Sequence, residues 1–310
     1  MNFEAFCKEA GLLPRDIVAD GKWRRCPTCS KPRKHNGSYK LAADGRIGWC
    51  MDYAVHTEPQ TWRPDAGQAP QVDRAAIARR RSEERKALAL ATREAAEFYA
   101  GCAPLRHGHP YLTDHGLDMT GCFGLKIDRD AWLVVPMLLD GNLVSVQRIS
   151  PHGDKLFWPG ASAKGASYTV ERKGAPITVL CEGLATGLAI FAAAPLVRVV
   201  VGVNAGDLGA VKKPRGLAVV ASDYDHETEA RTGINPGFQA AQAAADALGC
   251  GVAVPVGIQG TDWADWRQER VADRLAHLGK RERESDIRRA IDAKIATEMS
   301  RNAKFLTTKA

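Results

Sequence analysis

Between residues 177 and 256 the chain alternates short β-branched and aliphatic runs with alanine-rich stretches of helical length, and no other feature constrains its fold as strongly. Residues 177–181, 197–201, 216–222 and 251–256 read as strands, and 184–194, 205–211 and 236–248 as the helices between them. A β-α-β-α-β-α-β order predicts an α/β fold, a parallel sheet covered by helices. In such a sheet, functional groups collect beyond the carboxyl ends of the strands.

Those positions are acidic here. Glu182-Gly183 follows the first strand, the glycine permitting a tight turn into a helix. Asp223-Tyr224-Asp225 follows the third, spaced so that both carboxylates can point to one side, and Asp262 and Asp265 follow the last. Carboxylates packed together repel and raise at least one pKa unless a cation joins them. Magnesium, or manganese in its place, prefers carboxylate oxygens together with water and substrate phosphates, and it neutralises charge in phosphoryl-type transfer. Glu182, Asp223 and Asp225 are therefore the candidate catalytic and metal-binding residues. Asp262 and Asp265 are further candidate ligands, held more loosely.

Upstream the organisation changes. Residues 1–64 read as a small module with a short helix and hairpin turns at Asn36-Gly37 and Asp44-Gly45, and 64–71 as a Pro/Gly/Gln linker. Residues 73–99 form a long Ala/Arg/Glu helix whose Ile77, Leu88 and Phe98 are too sparse for a full core face, as in an exposed strut. Residues 131–138 and 142–149 flank an Asp140-Gly141 turn as an antiparallel hairpin. From Arg267 onward the chain is helical and basic, with 12 Lys and Arg against 7 Asp and Glu, which reads as a solvated helix or a nucleic-acid contact. The expected domains are 1–64, a linker and charged helix over 65–100, a mixed α+β basic subdomain over 101–175, the parallel-sheet domain over 176–266, and a tail over 267–310.

A net charge of +7 hints at an anionic partner, and its distribution says more. Residues 21–40 contain Lys22, Arg24, Arg25, Lys31, Arg33, Lys34 and Lys40 with no acid, interleaved with Trp23 and Tyr39. Cations among stacking surfaces suit single-stranded nucleic acid, although a solvated basic loop has the same composition. Arg24, Arg25 and Lys34 are the candidate contacts. Within this stretch Cys26 and Cys29 have the spacing of half a zinc site, which Cys50 with His35 or His56 would complete, though the second half is irregular. The other cysteines are scattered, as reduced core thiols are in a cytoplasmic protein. No apolar run approaches the roughly 20 residues of a membrane helix, and the N-terminus has no secretory pattern, so the expected location is the cytoplasm.

Glu182-Gly183 followed by Asp223-x-Asp225 on alternating strands and helices resembles the Toprim domain of topoisomerases, bacterial-type primases and certain nucleases. His109-Pro-Tyr-Leu-Thr-Asp-His-Gly-Leu117, the hairpin through Val135-Pro136 and Gln147-Arg148-Ile149 to Gly153-Asp-Lys155 resemble the region before Toprim in phage and plasmid primases and primase-helicases. Asn204-Ala-Gly206-Asp-Leu208, Asp262-Trp-Ala-Asp265, and Asp20 to Arg25 with Asn36 to Tyr39 match further segments of that family. The resemblance implies a DNA primase, a DNA-directed RNA polymerase that makes short RNA primers from ribonucleoside triphosphates on single-stranded DNA by magnesium-dependent nucleotidyl transfer. It also implies an N-terminal module that binds zinc in many members and lacks the cysteines in others. Arg148, Lys155 and Lys164 become candidates for holding template or nucleotide phosphates.

A topoisomerase would need a strand-transferring tyrosine in a large gate domain, for which the chain has no room after the Toprim segment. The run from Gly160 to Ser167 lacks the Gly-Lys-Ser/Thr ending of a P-loop, which argues against an ATP-driven nuclease and implies a separate replicative helicase. A metal-dependent nuclease and a non-catalytic single-strand-binding adaptor are the remaining alternatives.

Overall fold

The computed structural model describes residues 1–56, 58–64, 74–202, 205–277 and 284–305, so most of the expected linker and Asn204 lie outside the described residues. The chain divides into two compact units, Met1–Lys86 and Ala87–Ala310.

In the first unit, α1 (Phe3–Glu9) covers an antiparallel meander of β1 (Arg24–Cys26), β2 (Gly37–Leu41), β3 (Gly48–Asp52) and β4 (Gln60–Trp62). Period-two burial along β3 sends Gly48, Cys50 and Asp52 inward. Phe3, Cys7, Leu12, Tyr39, Cys50 and Trp62 build the core. α2 (Arg74–Gly101) contains the boundary between the units. Its first half belongs to this unit, where Arg80 reaches Asp20 at 3.4 Å and Glu84 pairs with Lys22 at 3.1 Å.

The second half of α2 is more than an exposed strut. Ala91 and Ala95 are buried, and Phe98 stacks on Trp158 with ring centroids 4.7 Å apart. The pattern undercounted this face because alanines carry it. A five-stranded antiparallel sheet follows, in order β5 (Ala103–Pro104), β6 (Lys126–Ile127), β7 (Leu133–Leu139), β8 (Asn142–Ile149), β9 (Lys155–Phe157), with α3 (Pro110–Asp114) inserted before β6. The expected β7–β8 hairpin is present, and Asp140 (φ 48°) and Gly141 (φ 82°) both take the left-handed conformation that a two-residue hairpin turn requires.

The Ile177–Cys181 and Val197–Val201 strands and the Pro236–Leu248 helix match the pattern residue for residue. After β10 (Tyr168–Val170) come β11 (Ile177–Cys181), α4 (Leu184–Ala193), β12 (Val197–Val201), a 3-10 turn over Ala205–Ala210, β13 (Leu217–Ala221), α5 (His226–Thr232), α6 (Pro236–Leu248) and β14 (Gly251–Ala253). β12, β11, β13 and β14 run parallel in that order, with β10 antiparallel on the β12 side. α7 (Trp263–His277) and α8 (Glu284–Asn302) follow, and β15 (Lys304–Phe305) returns antiparallel to β13.

α8 corrects the expectation of a solvated tail. Ile287, Ile291, Ile295 and Met299, four residues apart, are all buried against α4, α7 and the sheet. Fully burying each such side chain contributes about 1.5–3 kcal/mol, which outweighs the polar average of the segment. Among the described residues no helix is long and apolar enough to cross a membrane.

Candidate active site

The parallel sheet brings together carboxylates far apart in sequence. β11 ends at Cys181, so Glu182 emerges at its carboxyl edge; β13 ends at Ala221, two residues before Asp223. Asp262 arrives from the other side as the N-cap of α7, its Oδ1 accepting the N–H groups of Ala264 (2.8 Å) and Asp265 (2.9 Å). Asp265 answers from the third helical position: its Oδ2 accepts the N–H of Thr261 (2.9 Å) and of Asp262 (3.4 Å), a reciprocal capping box. Gly260 makes room for this, since a Cβ there would lie 2.3 Å from that of Asp265.

The free oxygen of Asp262 turns toward Asp223. Thr186 Oγ1, buried in the first turn of α4, is 3.1 Å from Asp262 Oδ2 and 3.4 Å from Asp223 Oδ1. Burial pushes the Asp223 carboxyl up to about 7, and the neighbouring charges of Asp262 and Glu182 push the same way. Asp262 is also raised, chiefly by burial. Lys155 opposes the rise at Asp223 through its positive charge.

Asp225 does not share this centre. Its side chain caps α5, accepting the N–H of Thr228 at 3.0 Å, and the Thr228 hydroxyl together with that N–H holds its carboxyl below the usual range. The expectation that Asp223 and Asp225 point to one side rests on strand periodicity, but the strand has already ended at Ala221. The structure thus gathers Glu182, Asp223 and Asp262, and engages Asp225 and Asp265 in helix caps.

Tyr111 and His115 also reach the centre. Tyr111, on α3, is buried and lies near Ala185, one residue before Thr186, and near Asp223 and Asp262. His115 packs on the Tyr111 ring at 4.5 Å, and Lys155 Nζ lies 5.9 Å from that ring's centroid. The sequence contained a signal for Tyr111, since it sits in the His109-Pro-Tyr-Leu segment, but nothing local assigned it a role. Thr186 had a clearer one, lying one helical turn beyond Glu182.

Of the candidate phosphate-binding cations, Lys155 and Lys164 are exposed. Arg148 is engaged by Asp128 at 2.6 Å and packs over Trp132 and Phe98. In the first unit Arg25 and Lys34 are exposed, Arg25 lying over Tyr53, whereas Arg24 pairs at 2.6 Å with Asp20, the acid just before the acid-free stretch. Trp23 is 48% exposed and suited to stacking. Tyr39 is a correction: at 4% exposure it packs against Phe3 and donates its hydroxyl to the Asp16 carbonyl at 2.6 Å, so it offers no stacking surface.

The structure does not gather Cys26, Cys29 and Cys50 into a zinc site. Cys50 is buried in the core beside Cys7, Cys29 is exposed, and His56 Nδ1 accepts the N–H of Asp52 at 3.0 Å. Among the described residues no three His, Cys, Asp or Glu side chains form a metal cage. For zinc, which takes four protein ligands in structural sites, this arrangement does not fit. For magnesium, which is held by one or two carboxylates with water and substrate phosphates, the Asp223–Asp262 pair beside Glu182 fits, and its mutual repulsion is what a cation relieves.

The Toprim domain family profile matches residues 177–273. This segment is a Toprim domain. Its match extends past the expected boundary at 266, further along α7. The chain is also similar to two Escherichia coli proteins named DNA primase TraC, at 30% and 28% identity over 261 residues. Each alignment covers 77% of this chain but 24% and 18% of those proteins, so the chain spans less than a quarter of the curated relatives it matches. Among solved structures it is similar to the primase fragment of the bacteriophage T7 primase-helicase protein, with 14% identity, a TM-score of 0.38, and coverage of 81% of this chain and 97% of that one. A chain in a structure of T7 lagging-strand DNA polymerase with primase domains matches at 19% identity and a TM-score of 0.39, covering 55% of this chain and 88% of that one.

Proposed function

We propose that the chain is a DNA primase of phage or plasmid replication, joining ribonucleoside triphosphates into short RNA primers on single-stranded DNA. The observation that carries this reading is the convergence of Glu182, Asp223 and Asp262 on one sheet edge beside Lys155. Kinship with proteins named DNA primase supports it over a nuclease. Asp223 and Asp262 would hold magnesium or manganese, which when bound neutralises the charge of the reacting phosphates. Glu182 accepts the proton of the attacking hydroxyl, and Lys155 and Lys164 take phosphate oxygens without regard to base identity. Arg148 acts less directly: its bond to Asp128 fixes the β8 strand that leads to Lys155. Residues 1–64 contact the template through Trp23, Arg25 and Lys34, while a separate replicative helicase opens the duplex.

The test is incubation of the protein with single-stranded DNA, Mg²⁺ and labelled ribonucleotides. Short RNA products are expected, and Glu182→Gln should reduce them about 10²–10⁴-fold with template binding intact. Near-parental synthesis by Glu182→Gln would remove the mechanism. Shortened DNA in place of new RNA would instead identify a nuclease.

A further inference from the structure

Of the two buried carboxylates of the centre, Asp223 is the less satisfied. Asp262 has two backbone N–H donors on one oxygen, whereas Thr186 is the sole hydrogen-bond donor to the Asp223 carboxylate among the described residues. A hydroxyl has one proton, and Thr186 Oγ1 faces two carboxylate oxygens at 3.1 and 3.4 Å. When the proton goes to Asp262, Asp223 is left without a partner.

We propose that Thr186 is the positioning residue that holds Asp223 and Asp262 as a pair for a divalent cation. The inference rests on the reading of these carboxylates as the metal-binding centre, and it names the side chain that sets their spacing. The surroundings of Thr186 suit that duty. It is fully buried. The buried Tyr111 lies beside the preceding residue, Ala185, at a helix start where Gly183 supplies no side-chain cap. The following residue, Gly187, lets α4 approach the sheet so closely that a Cβ there would lie 2.6 Å from Val201 Cγ2. Thr186 Oγ1 is thus fixed where Asp223 can bring one oxygen to it and turn the other outward, while Asp262 brings Oδ2 and keeps Oδ1 on the cap of α7. Groups of this kind, which orient a ligand without touching the metal, typically account for about 10–100-fold in metal affinity.

The experiment measures Mn²⁺ binding by electron paramagnetic resonance on the full chain, without nucleotide or DNA, for the parental protein and for Thr186→Val, Thr186→Ala, Thr186→Ser and Asp223→Asn. Thr186→Val keeps the shape and loses the donor, so its Mn²⁺ dissociation constant should rise about 10–100-fold. Thr186→Ala should do the same without a methyl group facing the carboxylates, and carries the test if the valine variant does not fold. Thr186→Ser should restore near-parental binding. In primer synthesis the Mg²⁺ concentration for half-maximal rate should rise more than kcat falls. Thr178→Val is the control: Thr178 is buried in β11 and accepts from Arg198 Nε at 2.9 Å, so its loss lowers stability and leaves Mn²⁺ affinity unchanged. Parental Mn²⁺ affinity in both Thr186→Val and Thr186→Ala, with binding lost in Asp223→Asn, overturns the role of Thr186 and leaves the metal centre standing. Mn²⁺ binding that is absent, or indifferent to Asp223→Asn, overturns both.

Discussion

The carboxylates of the second unit and the cysteines of the first both have spacings that suggest metal ligation, and the two sheets treat them in opposite ways. In the parallel sheet β11 and β13 are in register, Cys181 opposite Ala221, so whatever follows them leaves from the same edge. Sequence separation is immaterial there. In the antiparallel meander, register decides. Cys26 lies in the row with Gly37 and Asp52, Cys50 in the row with Arg24 and Tyr39, and the β2 strand stands between them. Close spacing of Cys26 and Cys29 along the chain does not overcome that offset. A strand edge shared by parallel neighbours is a better collector of ligands than a run of nearby residues on a meander.

Asp262→Asn and Asp225→Asn probe this contrast most sharply. Both residues cap helices, and asparagine caps as well as aspartate. Charge matters only where the carboxylate also serves the centre. Asp262→Asn should therefore lower primer synthesis by about 10²-fold or more, the scale of a lost metal group, and Asp225→Asn by much less. Equal losses in steady-state rates would mean that Asp225 leaves its cap and joins the centre.

The next effect is on stability. Asp223 titrates near 3.8 when unfolded and near 7 when folded, so the metal-free native state binds the proton more tightly. Its contribution to stability is fully present at low pH and declines as pH rises from about 4 to about 7, where it levels off. Thermal melts of metal-free parental protein should fall through that window relative to Asp223→Asn, and saturating Mg²⁺ should raise the parental melting temperature most above it. Parallel melting curves for the two proteins would show that Asp223 is not held in the crowded position seen here.

The smallest effect separates the cysteines. Cys50, fully buried in the core beside Cys7, should cost about 1–3 kcal/mol when replaced by alanine, while exposed Cys29 should stay within about 0.5 kcal/mol. A zinc site would level the two and make the melting temperature sensitive to chelator.

Where the backbone pattern was regular, the sequence was readable: the strand over Ile177–Cys181 and the helix over Pro236–Leu248 needed no tertiary information. The acids were readable as candidates because they follow those strands. Their division of labour was not, because Asp223 and Asp225 lie in a loop, where alternation stops and the direction of each side chain is set by which N–H it meets. Charge counting failed for a related reason. The basic average of α8 hid a stripe of Ile287, Ile291, Ile295 and Met299, and Arg24 is neutralised by an acid one residue outside the window that defined it as a cation. Tyr39 belongs with these, since an aromatic among cations on a short strand has two faces to choose from and only burial reveals the choice.

Asp262 uses one oxygen to start a helix and the other to meet Thr186, and this restricts what can stand there. Serine, threonine and asparagine would all start the helix, and glutamate would restore the charge on a longer arm that abandons the cap. Among the common side chains aspartate alone answers both demands. Asp265, whose contacts are all to backbone N–H groups of the preceding loop, has no such double constraint. In a saturation library selected for activity, position 262 should tolerate almost nothing, while position 265 should admit glutamate, glutamine and asparagine.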